Sequence, residues 1–194
     1  MQKTLKNLAK AFIGESQARN RYTFYAKIAK KEGYEQISDI FLKTADNERE
    51  HAKQLMKMIN KLQENSNLAE EKGDISVEAD VHTVLGTTVE NLESAINGEH
   101  FENSEMYPQF GDIAQEENLL DIADKLRAIG FAEKHHEEVF RKFLLSIKNN
   151  EVFKKDKEVQ WECRKCGYLH IGEEAPEKCR SCDHPKNYFQ VYCG

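Results

Sequence analysis

The stretch ADNEREHAKQL, residues 45–55, places a glutamate and a histidine three positions apart, Glu48 and His51, within a helical pattern. The same spacing recurs at Glu133 and His136, inside the stretch FAEKHHEEVF. Side chains at positions i and i+3 of an α-helix lie on one face, so each pair can direct both donors the same way. Two such pairs on different helices predict a metal site between those helices.

Apolar residues at spacings of three and four predict four long helices around these pairs. The four apolar stripes span residues 5–29, 37–62, 84–106 and 119–147. Short turns near Gly33 and near residues 116–118 predict that the first two and the last two helices form antiparallel pairs. Pro108 is expected to end or kink the third helix, because proline has no backbone N–H.

A polar stretch, residues 63–74, separates the second stripe from the third and makes a longer connection than most. Such a connection is typical of a crossover between two helical hairpins, so the predicted fold is an all-α four-helix bundle of the ferritin-like kind. We expect residues 1–148 to form this bundle and residues 149–158 to form a polar linker. Residues 159–194 are rich in Cys, Gly and aromatic residues and predict a small β-rich domain that is stapled by a metal.

The composition excludes several classes of protein. No apolar run is long enough for a transmembrane helix, and Lys6 and Lys10 interrupt any apolar core of a signal peptide. The net charge is −6 and no basic block occurs, which argues against a nucleic-acid partner. We therefore expect a cytoplasmic protein that binds neither membrane nor nucleic acid.

The five cysteines all lie in the last part of the chain. Four of them form two CxxC pairs, Cys163 with Cys166 and Cys179 with Cys182, and twelve residues separate the pairs. Two facing CxxC turns can offer four thiolates in a tetrahedron, which suits zinc or a single iron. The spacing alone favours a structural zinc. Cys193 stands outside both pairs, and we predict that it takes no part in the site.

A di-iron site in a bundle also needs a glutamate from each of the two remaining helices. Depth along the helices selects candidates, because each residue advances the helix by about 1.5 Å. Glu15 lies at about the depth of Glu48 in the first hairpin. Glu99 and Glu102 lie at about the depth of Glu133 in the second.

Other acids and histidines near these positions fit less well. Glu90 lies about 13 Å too far along the helix axis and is rejected. Glu105 is less well placed than the chosen acids, and Glu93 is a weak alternative. His100 and His135 point off the face of the predicted site, so we expect them at its edge or at the surface.

Together these residues resemble the rubrerythrin family over essentially the whole chain. The landmarks are Glu15, the two Glu-x-x-His pairs, the segment GEHFENSEMYP from Gly98, and the cysteine-rich tail from Trp161. The resemblance implies two irons in the bundle and one redox-active iron, in place of zinc, on the four cysteines. It implies a peroxidase that reduces hydrogen peroxide to water in protection against oxidative stress. The implied di-iron ligands are Glu15, Glu48, His51, Glu99, Glu102, Glu133 and His136.

The resemblance also implies roles for single residues and for partners. Glu102 would exchange with His51 as a ligand when the redox state changes, and Tyr22 and Tyr107 would hydrogen-bond the site's carboxylates. Electrons would come from NADH through a reductase or a rubredoxin. The chains would form a homodimer or a larger homo-oligomer, head to tail, so that one subunit's tail serves the other's bundle.

Two other functions stay open at this point. One is a ferroxidase that handles iron, as ferritin-type bundles do, although the four-cysteine domain would then have no clear task. The other is an interaction module without enzymatic activity, in which zinc staples the tail.

Overall fold

The computed structural model describes residues 2–65 and 74–192, so Cys193 lies outside the described residues. The helices are α1 Gln2–Lys31, α2 Glu35–Asn65, α3 Thr88–Phe101, α4 Tyr107–Glu116 and α5 Leu120–Lys148. A π-helical turn, Glu102–Met106, joins α3 to α4 into one rod. Three strands follow: β1 Lys154–Cys163, β2 Leu169–Glu174 and β3 Phe189–Val191. None of the described helices has the length and apolarity that crossing a membrane requires.

The four rods form two antiparallel hairpins, as the sequence predicts. Gly33 and Asn118 turn the chain between α1 and α2 and between α4 and α5, with φ of 86° and 61°. The described end of the crossover, residues 74–87, is held against α1. There Gln17 Nε2 donates to the Asp80 carbonyl at 3.0 Å.

The third rod begins later than the apolar pattern predicts. Val84 and Leu85 are exposed, and α3 starts at Thr88. The Thr87 hydroxyl accepts a hydrogen bond from the Glu90 N–H, and the Glu90 carboxylate accepts one from the Thr87 N–H. This capping box fixes the helix start, because it satisfies N–H groups that have no partner inside the helix.

Of the two outcomes predicted for Pro108, an end or a kink of the third helix, the end does not occur, since α4 continues to Glu116. The rod is irregular just before the proline, where the Tyr107 N–H bonds to the Glu102 carbonyl across the π-helical turn. Pro108 then occupies the first turn of α4. A missing N–H is tolerated at that position, because N–H groups of a first turn need no partner within their own helix.

Two apolar clusters fill the bundle and leave a polar layer between them. One cluster surrounds Leu8, Leu55 and Leu126, and the other surrounds Phe41 and Phe140. The predicted metal ligands fall between these clusters on each of the four rods. The apolar layers above and below therefore separate the polar layer from the two ends of the bundle.

The tail forms an antiparallel sheet in the order β2-β1-β3 around the fully buried Trp161. The first strand begins at Lys154, inside the segment that the sequence assigns to a linker. Lys154 pairs with Glu174, and the Ala175 N–H bonds to the Phe153 carbonyl at 2.9 Å. These partners lie some twenty residues away in the chain, so a local pattern does not reveal the strand's start.

The tail packs on the end of the bundle that carries the α1–α2 turn. The rings of Tyr34 and Phe153 stack with their centroids 6.5 Å apart. Arg164, next to Cys163, pairs with Asp39 on α2. The four-cysteine site therefore lies beyond one end of the bundle in the same chain.

Candidate metal centres

The structure gathers six of the seven predicted ligands into two groups within the polar layer. In each group the donor atoms lie within 4.8 Å of one another. The first group contains Glu15, Glu48, His51 and Glu133, and the second contains Glu48, Glu99, Glu133 and His136. Each group has one histidine and one glutamate of its own, and the groups share two glutamates.

The shared carboxylates each turn one oxygen to each histidine. His51 Nδ1 lies 3.1 Å from Glu48 Oε2 and 2.8 Å from Glu133 Oε1. His136 Nδ1 lies 3.1 Å from Glu48 Oε1 and 2.7 Å from Glu133 Oε2. Each of these two carboxylates could therefore donate one oxygen to each of two neighbouring metal ions.

Burial and unmet hydrogen bonding show that the donors fit metal ions. The four glutamates of the two groups are fully buried. Within the described residues, both oxygens of Glu133 and one each of Glu15, Glu48 and Glu99 form no hydrogen bond and meet only a histidine, at ion-pair distance. Burying charged groups without compensation is costly, so cations between the groups would stabilise them. Carboxylate oxygens with imidazole nitrogens are a donor set that suits iron.

Two tyrosines hold the glutamates that are not shared. The Tyr22 hydroxyl, on α1, donates to Glu99 Oε1 at 2.5 Å, and the Tyr107 hydroxyl, on α4, donates to Glu15 Oε1. In both cases Oε2 is left without a hydrogen bond and belongs to the donor groups. Each tyrosine therefore orients a carboxylate of the opposite hairpin.

The protein without metal keeps protons in this layer. Burial, and then the charge of Glu48, raise the pKa of Glu15 to about 7, and burial raises the pKa of Glu99 well above its usual value. Burial alone would lower the pKa of His136, but its close contacts with Glu133 and Glu48 outweigh burial and raise the pKa to about 12. Metal binding must displace these protons, because metals bind the deprotonated donors.

Glu102, the seventh predicted ligand, lies outside both groups. Its side chain is 8% exposed and lines a cavity, and no hydrogen bond or ion pair reaches its carboxylate among the described residues. Burial, and then the charge of Glu15, raise its pKa well above the usual value. A Cβ added at Gly14 would lie 3.7 Å from Glu102 Oε1, so this carboxylate lies close to the α1 side of the site.

The acids that the sequence ranks lower lie away from the donor groups. Glu90 caps α3, and Glu93 pairs with Lys148 at 2.7 Å on the surface. Glu105 and His135 are exposed. None of these four belongs to either group.

The sequence does not single out the residues that hold the π-helical turn. Asn103 Nδ2 donates to the Glu99 carbonyl at 2.6 Å and to Glu137 Oε2 at 2.7 Å. Arg141 and His100 also bond to Glu137. The one available signal is position, because Asn103 and Glu137 directly follow two predicted ligands.

The four predicted cysteines meet at the second centre. Their Sγ atoms lie within 4.8 Å of one another, and the Cys163–Cys182 and Cys166–Cys179 distances are both 3.7 Å. A metal bound at about 2.3 Å in a tetrahedron of sulfurs requires sulfur–sulfur distances of about 3.8 Å. The Tyr168 N–H stabilises the Cys166 thiolate and lowers the pKa of that thiol to about 6.

Two family models match the chain. The model for rubrerythrin matches residues 6–144, and the model for the rubrerythrin rubredoxin-like domain matches residues 161–190. The chain belongs to the rubrerythrin family. The fold predicted from the sequence is thereby confirmed, and so are a candidate di-iron site and a rubredoxin-like four-cysteine site.

Similar proteins come from several organisms. A Methanocaldococcus jannaschii protein whose name places it among the rubrerythrins is 61% identical over 194 residues, which cover 100% of this chain and 94% of the relative. Rubrerythrin of Nitratidesulfovibrio vulgaris is 45% identical, covering 97% of this chain and 94% of the relative. A solved structure of nigerythrin in a mixed-valence state matches with a TM-score of 0.62 and 33% identity, covering 97% of this chain and 86% of that chain.

Proposed function

We propose that this member of the rubrerythrin family is a peroxidase that reduces hydrogen peroxide to water and protects the cell from oxidative stress. The observation that carries the proposal is the pair of donor groups that share Glu48 and Glu133. Two irons held side by side supply one electron each, which matches the two electrons and two protons that convert one hydrogen peroxide into two waters. A fused four-cysteine site supports this reading, because it offers a route by which those electrons return.

In this proposal the shared glutamates bridge the two metal positions. Glu15 and His51 complete one position, and Glu99 and His136 complete the other. The hydroxyl groups of Tyr22 and Tyr107 hold the two carboxylates that are not shared. The four cysteines hold the single iron of the tail.

Glu102 is proposed to replace His51 as a ligand when the site is oxidised. Among the described residues the buried carboxylate has no partner, and the neighbouring charge with the strongest effect on its pKa is that of Glu15, in the group that contains His51. An anionic oxygen suits a harder, more positive ion better than a neutral nitrogen does. The exchange would therefore follow the charge of the site.

Electron supply is proposed to run between subunits. Asp39, where the tail contacts α2, precedes Glu48 by nine residues, or about 13 Å along the helix. The cysteine site lies beyond that contact, so electron transfer within one chain has a long path. A head-to-tail dimer in the cytoplasm would shorten the path, and a reductase or rubredoxin would pass electrons from NADH to the tail. Residues 1–148 and 159–194 would then act as separate functional units.

Peroxide and dioxygen assays test the proposal directly. The iron-loaded protein, given NADH and a rubredoxin reductase under anaerobic conditions, should consume NADH when peroxide is added. C182S, which removes a thiolate of the tail, should stop this turnover while the bundle keeps its two irons. A ferroxidase, the second candidate that the bundle alone would allow, would instead oxidise added Fe(II) with dioxygen and would not need the tail. Fast Fe(II) oxidation without peroxide turnover would overturn the proposal.

A further inference from the structure

A cavity of about 320 Å³ reaches from the surface to the edge of the metal site. Its inner wall contains Gly14, Gly98 and Glu102. The two glycines directly precede Glu15 and Glu99, so the inner wall adjoins both donor groups. The outer wall is formed by α1, the π-helical turn and the crossover around Asp80.

The mouth of this cavity is acidic. Glu78, Asp80 and Glu105 line it and are exposed, and within residues 2–65 and 74–192 no salt bridge neutralises them. Lys10 and His82 are the basic residues of the lining. The lining therefore carries a net negative charge.

The inner end of the cavity adds an independent sign of a ligand. Glu102 is nine-tenths buried, has no hydrogen-bond or ion-pair partner in the described part of the chain, and faces the cavity. A buried carboxylate without a partner is costly unless a cation or a donor meets it. The acidic mouth and the unpaired carboxylate thus lie at the two ends of one path.

We propose that this cavity is the route by which divalent metal ions enter the bundle and reach the donor groups. The inference rests on the ligand set proposed above and adds the path by which that set is filled. A cleft lined by charge of one sign concentrates counter-ions and can raise association rates by about 10- to 1,000-fold. Glu78, Asp80 and Glu105 attract the ion at the mouth, and Glu102 receives it next to the donor groups.

The crossover defines the mouth, because the bond from Gln17 Nε2 to the Asp80 carbonyl holds it beside α1. Ala79, the residue before Asp80, also lines the cavity and is exposed. Ala79 is not itself a proposed ligand, so a large side chain at this position would narrow the route from its outer wall.

Cobalt(II) uptake by the metal-free, full-length chain tests the route. The triple variant E78Q/D80N/E105Q should fill the bundle site at least about tenfold more slowly than the wild type at low ionic strength, with the same final amplitude. The four-cysteine site serves as an internal control, because its thiolate absorption develops separately and its rate should not change. Added salt should slow the wild type more than the triple variant.

A second triple variant, E116Q/E138Q/D156N, matches the first in charge. These three acids are exposed and line none of the cavities described here. It should load like the wild type. The proposed route would be overturned if both triple variants loaded equally slowly, or if the first loaded at the wild-type rate. It would also be overturned if the first variant lost final amplitude, because the three acids would then be metal ligands.

The variant A79W tests the path without changing its charge. Release of metal from the loaded protein to an excess of chelator should slow, while the equilibrium affinity stays the same. An unchanged release rate would contradict the proposal. Failure of the peroxidase proposal would give a different result. Both metal sites would load at the rates expected here, but the loaded protein would not turn over peroxide.

Discussion

The two hairpins of the bundle supply corresponding donors, but the second contains one more residue than the first. Glu48 and Glu133 each lie 13 positions after the first residue of their helix, Glu35 and Leu120. The turns between helices have the same length, residues 32–34 and 117–119. The helices that follow the turns, α2 and α5, therefore match residue for residue up to the shared glutamates.

The rods that precede the turns, which are α1 and the rod from α3 to α4, differ by one residue in the stretch from glutamate to turn. Glu15 lies 16 positions before Lys31, the end of α1, whereas Glu99 lies 17 positions before Glu116, the end of α4. The tyrosines show the same offset, because Tyr22 follows Glu15 by seven positions and Tyr107 follows Glu99 by eight. The π-helical turn absorbs the extra residue, since a π-helical hydrogen bond spans five residues where an α-helical one spans four.

The same difference makes the site asymmetric. Three residues after Glu15 stands Ala18, and three residues after Glu99 stands Glu102. Both side chains are buried. The turn that accommodates the inserted residue starts at Glu102. A nearly symmetric pair of hairpins thus acquires a fifth carboxylate on one side.

Removing either shared carboxylate should have the largest effect on metal affinity, and the effect should be the same for Glu48 and Glu133. E48Q and E133Q each remove a carboxylate that both donor groups share. The affinity for metal at both positions should fall by at least about 100-fold. Removing a residue that only supports a ligand lowers metal affinity by about 10- to 100-fold, and a proposed ligand should matter at least as much. Chelator competition and metal content measure this. The control E50Q changes an exposed acid on α2 and should bind normally, and unequal losses in the two variants would break the correspondence.

The stability of the metal-free protein should respond to pH through Glu15. The raised pKa makes the folded state bind this proton more tightly than the unfolded chain does, so the stabilisation is complete below pH 4.5. It is lost as the pH rises to about 7, at a cost of no more than about 3 kcal/mol.

Urea unfolding over this pH range should show the wild type losing stability relative to E15Q. The control variant E138Q removes an exposed acid of α5 and keeps Glu15, so it should lose stability as the wild type does between these pH values. A wild type that gained stability over E15Q as the pH rises would contradict the sign.

The variant E102A makes the second hairpin match the first at Ala18. The metal-free protein should become more stable by about 1–2 kcal/mol, because a buried carboxylate without a partner is removed. Peroxide turnover should fall by about 10- to 100-fold if Glu102 tunes the site. Q109A changes an uncharged residue of the same cavity and should alter neither quantity. Unchanged turnover in E102A would rule out the exchange with His51.

The smallest expected effect concerns the two tyrosines. Y22F and Y107F each remove one hydrogen bond to a terminal carboxylate, and both should weaken metal binding by about tenfold. Chelator competition again measures the change. Y25F is the matched control, because the Tyr25 hydroxyl bonds to the Val84 carbonyl and not to a proposed ligand. A loss in only one of the two variants would show that the hairpins hold their carboxylates differently.

Local spacing was sufficient to predict most of the fold and most donors. Glu48 and His51 share a helix face because of the helical repeat, and Cys163 and Cys166 share a turn because two residues separate them. The depth of Glu15 in its hairpin followed from the rise per residue, since its turn is short. These features depend on neighbours within one helix, one turn or one short hairpin, which a sequence displays directly.

Two features of the second hairpin did not follow from the apolar pattern. The start of α3 at Thr88 was missed because the apolar pattern continues into exposed Val84 and Leu85. The π-helical turn was missed because Asn103 and Glu137, which meet across two helices, hold it in place. A contact between two helices leaves no periodic signal in the sequence.

The sequence by itself determined the helices, the two Glu-x-x-His pairs and the paired cysteines, because each rests on a repeat set by backbone geometry. Only the tertiary structure decided which oxygen of Glu48 and Glu133 faces which histidine, and that Glu102 lies apart in an acidic cavity. The reason is that side-chain direction and burial are properties of packed helices and arise only when the two hairpins meet.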